Sequence, residues 1–478
     1  MASIKTLASQ TAVYGISAIL SKFLNFLLTP YFTYVMAPEV FANVTLWYGL
    51  IPFVNVLLVM GLSTSYFRWC AKAPDGNARR EIFSTFWFAV SMAALSFFAL
   101  CCIFRVPLTE ALGYGASRYI VMVALLILID NVAAIPLAAL RERGRALRYT
   151  VVNVSGVLVN ILCCVAFYSL IPDARGDAQW VIVANIIASG VQLLMLTVST
   201  RRLVTLKIRW SILKGALVYS LPLMVAGVMG MGSDFIDRQM LRWLLPEDQA
   251  MTQVGVYGAV AKLASIMIIF RQIYTLGAEP FFLQNFKKED FLRMNAAALK
   301  YFTLAGILLL LGCSYFLDLL IQILGRSYRE GIDVVPVLLL ANLMMGVLVN
   351  LSFWYKVAEK TRYAIYVTAI GLVSVVVGCW LLIPNYGYYG AAYAHLISAG
   401  VMVVVSYIFN QVHYKVPYER LRIVGYLALG GVLYVAGVWA AQLEALVAYI
   451  LKFLLLLSFI MFVAKCEKIK INKLWKRK

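Results

Sequence analysis

The sequence has little charge and almost no histidine. Of its 478 residues, 13% are charged and two are histidine, whereas 63% are hydrophobic. A soluble protein of this composition could not cover its surface with polar side chains. The eight cysteines show no CxxC spacing and fall mostly inside apolar runs, where they are expected to pack as small hydrophobic residues. We therefore expect no metal site and no cofactor.

The sequence also lacks the features of an energy-coupled or catalytic soluble domain. It contains no GxxxxGK[ST] motif and no cluster of carboxylates suited to catalysis, and its polar loops are short. These absences argue against an ATPase and against an intramembrane glycosyltransferase or polymerase. The run from Thr6 to Met36 has no small-residue cleavage site, so we interpret it as a first membrane helix and not as a signal peptide.

Long apolar runs are what the chain does have. A helix of about 20 apolar residues spans a bilayer. Apolar runs between charged or Pro/Gly breaks predict an all-α polytopic membrane protein with about fourteen transmembrane helices. The predicted helices lie near 8–35, 41–67, 82–104, 117–140, 150–171, 179–200, 215–243, 252–282, 297–321, 332–355, 363–383, 390–413, 423–440 and 446–464.

The basic residues predict the orientation. Lys and Arg number 42 against 22 Asp and Glu, and they cluster in every second loop. By the positive-inside rule this side, which includes both termini, faces the cytoplasm. The net charge of +20 is then mainly a topology signal, and a nucleic-acid partner is not expected. The basic segments are 68–80, 141–148, 201–214, 287–300, 356–362, 415–422 and 465–478.

A weak internal repeat relates helices 1–6 to helices 7–12. Pro38–Glu39 matches Pro246–Glu247, and Tyr48–Gly49 matches Tyr257–Gly258, at a spacing of about 210 residues. An even number of spans per unit gives a parallel repeat, as in alternating-access transporters. We therefore predict an N-terminal lobe at 1–205, a C-terminal lobe at 206–414, and two further helices with a basic tail at 415–478; a chance likeness among apolar helices is the alternative.

Three cations lie inside predicted spans. A charge at the bilayer centre costs roughly 2.5–3.5 kcal/mol or more, so each one needs an explanation. Lys22 shares a face of helix 1 with Asn25, Lys262 lies near the middle of helix 8, and Arg271 lies nine residues later on roughly the opposite face. Lys262 and Arg271 therefore cannot both point into one narrow cavity. A basic cavity suits an anionic substrate, because phosphate oxygens accept charge-assisted hydrogen bonds; pairing of Lys22 with an acidic residue of another helix is the alternative.

Acidic residues also lie within predicted spans. Asp130 is at the middle of helix 4, and helix 7 carries Asp234, Asp237 and Arg238. Asp234 and Arg238 are four residues apart and can pair on one helix face, so internal neutralisation is the favoured explanation for them.

Three local motifs resemble a known family. They are Asp237–Arg238 followed by Val254–Lys262, Arg141–Arg143 followed by Arg148–Tyr149, and Tyr386–Ala392. Together with the fourteen spans, the repeat and the cytoplasmic termini, they resemble the multidrug/oligosaccharidyl-lipid/polysaccharide (MOP) exporter superfamily. Within it the chain is most similar to the bacterial polysaccharide (Wzx-type) flippases.

This resemblance implies a V-shaped, two-lobed fold in the bacterial inner membrane, with a central cavity and alternating access. It implies a substrate of oligosaccharide on polyprenyl pyrophosphate, with membrane lipids, a coupling ion such as H⁺ or Na⁺, and polysaccharide assembly proteins as further candidate partners. The residues that would meet the substrate are Lys22, Asn25, Lys262 and Arg271. The candidates for coupling or gating are Asp130, Asp234, Asp237 and Arg238. Helix 1 departs from the flippases of the peptidoglycan precursor, because it carries one cation and not a cluster.

The alternative within the superfamily is a drug/cation antiporter, which would need acidic residues at the heart of a lobe. Helices 1–6 offer mainly Asp130, and the conspicuous charges are basic. A purely structural membrane protein would not need cations in mid-membrane. The sequence therefore favours a transporter of an anionic, lipid-linked glycan.

Overall fold

The computed structural model describes residues 15, 19–20, 23–24, 26–205, 207–285, 290–358, 360 and 362–467, with all of their side chains except those at 234, 280, 283–285 and 357. The described residues form α-helices joined by short turns, with α1 at 26–35. The α-helices that follow are α2 (Pro38–Val59), α3 (Leu62–Ala71), α4 (Gly76–Ile103), α5 (Arg105–Leu112), α6 (Ser117–Glu142), α7 (Ala146–Leu170), α8 (Gln179–Thr200), α9 (Trp210–Leu244), α10 (Glu247–Asn285), α11 (Phe291–Tyr315), α12 (Leu317–Leu320), α13 (Val334–Val357), α14 (Arg362–His413), α15 (Arg420–Ala440) and α16 (Ala445–Cys466).

The predicted fold class, an all-α polytopic membrane protein, is confirmed. In the described part of the chain, 12 helices are long and apolar enough to cross a membrane. The prediction of about fourteen spans differs from this number for two reasons. Part of the predicted first helix, 8–35, lies outside the described residues, and two predicted helices are joined in α14.

The helix α14 is a single run of 52 residues with one break. At 1.5 Å per residue it is about 78 Å long, more than twice the ~30 Å of a hydrocarbon core. Gly387, with φ 55° and ψ −134°, interrupts the helical backbone three residues after Pro384. Only glycine adopts this conformation without a steric penalty. The predicted helices 363–383 and 390–413 are therefore both present, but a kink at Gly387 joins them in place of a loop.

The helices form two compact units. The first unit comprises the described residues of Met1–Lys262, Leu324–Glu330 and Thr361–Ser398, and the second those of Leu263–Ile323, Gly331–Lys360 and Ala399–Lys478. The boundaries fall inside α10 and inside α14. The lobes predicted at 1–205 and 206–414 stay a prediction, because an internal repeat and the compactness of a unit are different properties.

In the first unit, the N-terminal half of α10 packs tightly on α2. A Cβ atom at Gly255 would lie 2.0 Å from the carbonyl oxygen of Pro38, and one at Gly258 would lie 2.2 Å from Oγ1 of Thr45. The hydroxyl of Thr252 also donates a hydrogen bond of 2.6 Å to Glu39. Glycine lets two helix backbones approach closely, so this spacing holds the centre of α10 in position.

In the second unit, a buried ionic cluster ties α15 and α16 to α11. The Nζ of Lys300 lies 2.7 Å from Oε1 of Glu419 and 2.6 Å from Oε2 of Glu467. Tyr426 of α15 donates a 2.6 Å hydrogen bond to Glu467 as well. The sequence analysis assigned Lys300 to a basic cytoplasmic segment. The structure shows that it is buried and joins three segments of the second unit.

Candidate functional site

The centre of the candidate site is a buried carboxylate on α9. The side chain of Asp237 is 3% exposed, and the hydroxyl of Tyr257, on α10, donates a 2.8 Å hydrogen bond to its Oδ2. Tyr257 is itself almost fully buried. A carboxylate removed from water is stable only where hydrogen-bond donors and a cation contact it. Tyr257 supplies such a donor from the neighbouring helix.

Arg238 supplies the cation beside this carboxylate. One guanidinium nitrogen of Arg238 lies 3.8 Å from Oδ1 of Asp237, and the guanidinium carbon lies 6.0 Å from the ring centre of Tyr257. The sequence analysis favoured Asp234 as the partner of Arg238. The side chain of Asp234 lies outside the described residues, whereas the neighbouring Asp237 is an observed partner.

Lys262 adds a second cation to this group. It lies about 22 Å from the start of α10, taking 1.5 Å per residue, and therefore near the middle of a membrane span. Its charge interacts with that of Arg238, and its side chain is exposed at the surface of the first unit. The structure therefore brings together three residues that the sequence analysis selected: Asp237, Arg238 and Lys262. We call these three residues, with Tyr257, the α9–α10 cluster.

The other predicted substrate-binding residues are not part of this cluster. Arg271 is half-buried on α10 and belongs to the second unit. Lys22 and Asn25 lie outside the described residues. Nine residues separate Lys262 from Arg271, which turns their side chains to opposite faces of the helix, as the sequence analysis expected.

Asp130 lies in a separate polar cluster of the first unit. The hydroxyl of Ser189, on α8, donates a 2.7 Å hydrogen bond to Oδ1 of Asp130, on α6. Asn55, on α2, also hydrogen-bonds to this carboxylate and accepts a 2.7 Å hydrogen bond from Asn131. The sequence analysis selected Asp130 but missed its partners. Uncharged polar residues in the middle of three apolar helices were the available signal.

Tyr257 is another residue that was not assigned to the site from the sequence. It appeared in the sequence analysis only in the internal repeat, as Tyr257–Gly258, and within the motif Val254–Lys262. Its hydroxyl points into the first unit toward Asp237, a partner 20 residues away on another helix. Among the described residues, no group of three or more His, Cys, Asp or Glu side chains could hold a metal ion.

Several solved structures resemble this chain in fold. A structure described as the lipid II flippase MurJ in an inward closed conformation matches with a TM-score of 0.74 and 14% identity, over 95% of this chain and 99% of that chain. An inward-facing multidrug resistance MATE family transporter of the MOP superfamily matches with a TM-score of 0.68 and 13% identity, over 85% of this chain and 95% of that chain.

A third solved structure bears on the polarity of binding sites in this fold. It is a MOP superfamily transporter from Pyrococcus furiosus, with a TM-score of 0.55 and 13% identity, over 84% of this chain and 95% of that chain. It is described as a transporter whose binding pocket has reverse polarity, which suggests a different function. At these identities the three likenesses establish the fold, which is that of the MOP exporters.

Sequence comparison supplies the family. No curated protein matches the chain. The profile of a family described as polysaccharide biosynthesis protein matches residues 7–286, which is more than half of the chain and includes the whole α9–α10 cluster. The predicted resemblance to the MOP exporter superfamily is confirmed. The chain is a multi-pass membrane protein that belongs to the polysaccharide biosynthesis protein family.

Proposed function

We propose that this protein is a flippase that moves oligosaccharide linked to polyprenyl pyrophosphate from the cytoplasmic to the outer leaflet of the bacterial inner membrane. The observation that carries the proposal is the exposed Lys262 at mid-span, beside Arg238. Membership of the polysaccharide biosynthesis protein family supports a glycan as the cargo. The fold shared with a lipid II flippase supports a lipid-linked carrier.

The charge of the α9–α10 cluster favours an anionic ligand. The cluster contains two cations, Arg238 and Lys262, and one described carboxylate, Asp237, so it carries a net positive charge. An exposed ammonium group in hydrocarbon would cost roughly 2.5–3.5 kcal/mol or more. Water or an anion at Lys262 would lower this cost. A pyrophosphate offers several charged oxygens, which accept short hydrogen bonds from Lys and Arg.

The physics of the transport step agrees with a hydrophilic cavity that opens sideways to lipid. The sugar and pyrophosphate cannot cross hydrocarbon unaided, because their hydroxyls and charges would lose their hydration. The polyprenyl tail can stay in the bilayer while the head passes through the protein. We infer that Lys262 meets the pyrophosphate during this passage, with Lys22, Asn25 and Arg271 as further contacts.

Asp130, Asp234, Asp237 and Arg238 are the candidates for coupling or gating. Asp237 has the partners that such a role needs, because it is buried and held by one hydroxyl and one guanidinium group. Binding of H⁺ or Na⁺ at a carboxylate changes its charge and so its attraction for Arg238. This change would alter the field at Lys262 and link ion binding to alternating access.

Polysaccharide assembly proteins are further candidate partners, and both termini are assigned to the cytoplasm.

A second candidate function is a drug/cation antiporter of the same superfamily. The observation that favours it is the Asp130 cluster, in which Ser189 and Asn55 surround a carboxylate inside the first unit. Such a group could bind a cation. The flippase remains the stronger proposal, because the exposed mid-span charge is the basic Lys262.

Leaflet exchange in liposomes tests the proposal. The purified protein is reconstituted with a fluorescent polyprenyl-pyrophosphate oligosaccharide, and exchange is followed by an external quencher. We expect exchange that depends on the protein and falls strongly with Lys262→Ala. The matched control is Lys72→Ala, which removes an exposed lysine at the end of α3. Absence of exchange, together with ion-driven uptake of a cationic dye in the same liposomes, would favour the antiporter.

A further inference from the structure

A pocket lies where α9 and α10 join beside the kink of α14. Its volume is about 710 Å³, and every residue that lines it belongs to the first unit. Gln253 of α10 holds this region together, because its Oε1 accepts a 3.0 Å hydrogen bond from the backbone N–H of Tyr388. A Cβ atom at Gly387 would lie 2.2 Å from the same oxygen. The kink is therefore the feature that lets α10 approach α14 and form the pocket.

Four tyrosines supply most of the aromatic surface of this pocket: Tyr386, Tyr388, Tyr389 and Tyr393. The rings of Tyr388 and Tyr389 stack with their centroids 4.8 Å apart. Tyr386 and Tyr393 are 58% and 41% exposed, so their rings are available at the surface of the unit. Tyrosine combines a flat apolar face with a hydroxyl that can donate or accept a hydrogen bond.

The remaining polar lining consists of amides. Gln249, Gln253 and Asn385 contribute carboxamide groups, each with donors and an acceptor. Among the described residues that line the pocket, none carries a charge. An uncharged pocket offers no ion-pair partner to a phosphate or to a cation. It suits a ligand that presents an apolar face and several hydroxyls together.

We propose that this pocket binds neutral pyranose rings of a glycan. A pyranose exposes a face of C–H groups that stacks on an aromatic ring, and its edge carries hydroxyls that pair with amides and with tyrosine hydroxyls. In the topology predicted from the basic loops, the α9–α10 junction and the Gly387 kink lie on the outer side of the membrane. The pocket would thus meet the glycan after the head has crossed. That the glycan is part of the transported substrate rests on the proposed function; the sugar chemistry of the pocket does not.

The test measures binding of free oligosaccharide, separately from transport. The full chain in lipid nanodiscs is titrated with three neutral hexasaccharides, of glucose, galactose and mannose, and binding is followed by saturation-transfer NMR. We expect at least one to bind and the double variant Tyr386→Ala/Tyr393→Ala to bind it at least about tenfold more weakly. Both side chains are exposed, so their removal leaves no cavity in the core. The control is Tyr366→Ala, which removes a tyrosine of α14 that is 50% exposed and does not line the pocket.

Three results would overturn the proposal: no binding of any of the three sugars, binding unchanged in the double variant, or equally tight competition by tetraphenylphosphonium. The last would identify an aromatic site for organic cations. Sugar binding without leaflet exchange would contradict the proposed flippase while the pocket assignment stands. Leaflet exchange without sugar binding would contradict the pocket assignment alone.

Discussion

Tyr257 donates a 2.8 Å hydrogen bond to Asp237 from a neighbouring helix, and both side chains are buried. The pair connects α9 to α10 at the level where Lys262 emerges five residues further along α10. It therefore couples the position of an acidic group to that of the cation proposed to meet the substrate.

Removal of the Tyr257 hydroxyl tests this connection. We expect Tyr257→Phe to lower the free energy of unfolding by roughly 1.5–3 kcal/mol, the range for hydrogen bonds to charged groups. Thermal unfolding in detergent measures the effect. Tyr366→Phe is the control, because its hydroxyl is on an exposed residue. Equal stability of the two variants would mean that the Asp237 carboxylate does not depend on this donor.

Lys262 and Arg238 differ in their exposure and in their contacts. This difference predicts how substitution of each residue affects transport. Arg238 is 24% exposed and faces Asp237 and Tyr257, whereas Lys262 is exposed. We expect Lys262→Ala to reduce leaflet exchange about tenfold or more, and more than Arg238→Ala does. Thermal unfolding of both variants shows whether loss of Arg238 acts through stability. Mild and equal losses of exchange would contradict the placement of Lys262 at the substrate.

Close packing between α10 and α2 predicts a difference between two glycines of one helix. At Gly255 an added Cβ would meet the backbone of Pro38, which cannot move aside. Overpacking of this kind costs typically about 1–3 kcal/mol, so Gly255→Ala should lower the unfolding temperature. At Gly277 no atom lies within 4 Å of the added Cβ. Gly277→Ala is the matched control, and it should be neutral or raise the unfolding temperature, since alanine favours helix by roughly 1 kcal/mol over glycine.

The cluster of Lys300, Glu419 and Glu467 predicts that α15 and α16 depend on one lysine. The side chains of Lys300 and Glu467 are 7% and 4% exposed. Removal of one partner of a buried ion pair costs roughly 3–5 kcal/mol, because it leaves an uncompensated charge. Lys300→Ala should therefore lower the unfolding temperature far more than Lys72→Ala does. Limited proteolysis between α14 and α15 would show whether the loss is local; equal unfolding temperatures of the two variants would contradict the cluster's role.

The same cluster predicts a response to acid. Burial alone would raise the pKa of Glu467, but the hydrogen bonds from Lys300 and Tyr426 and the charges of Lys300 and Arg422 outweigh it, so the pKa lies below its usual range. A carboxyl with a lowered folded-state pKa stabilises the fold fully above its unfolded value of about 4.3 and loses that contribution as the pH falls through the folded-state value. We expect the unfolding temperature to fall between pH 6 and pH 3 more steeply in the natural protein than in Glu467→Gln. Parallel curves would contradict this account.

The distribution of apolar residues along the chain predicted much of the architecture. Each predicted helix from 41–67 onward has a counterpart among the long helices of the structure, because the cost of exposing a backbone to hydrocarbon forces apolar runs into helices. The short helix α5 was not predicted. The join at Gly387 was not predicted. The sequence YGYYG is typical of a turn. In the structure it forms a kink inside one helix, where the backbone N–H of Tyr388 donates a hydrogen bond to Gln253.

The candidate site was predicted in part. Asp237, Arg238 and Lys262 were selected from the sequence because a charge in an apolar span is conspicuous, and the motif DR followed by VGVYGAVAK contains all three. The role of Tyr257 was not evident, because a tyrosine in a membrane helix is equally suited to packing, to an interface or to a hydrogen bond. The same holds for Ser189 and Asn55 beside Asp130.

The sequence by itself determined the membrane-spanning helices, their predicted orientation and the presence of charges at mid-span, since these follow from the local transfer energy of each side chain into hydrocarbon. Only the tertiary structure decided which polar and charged side chains meet. Lys300 and Glu467 are 167 positions apart in the chain, and Asp237 and Tyr257 lie on different helices. Such pairs depend on how helices pack, which is set by close contacts such as Gly255 against Pro38 and not by the composition of any one segment.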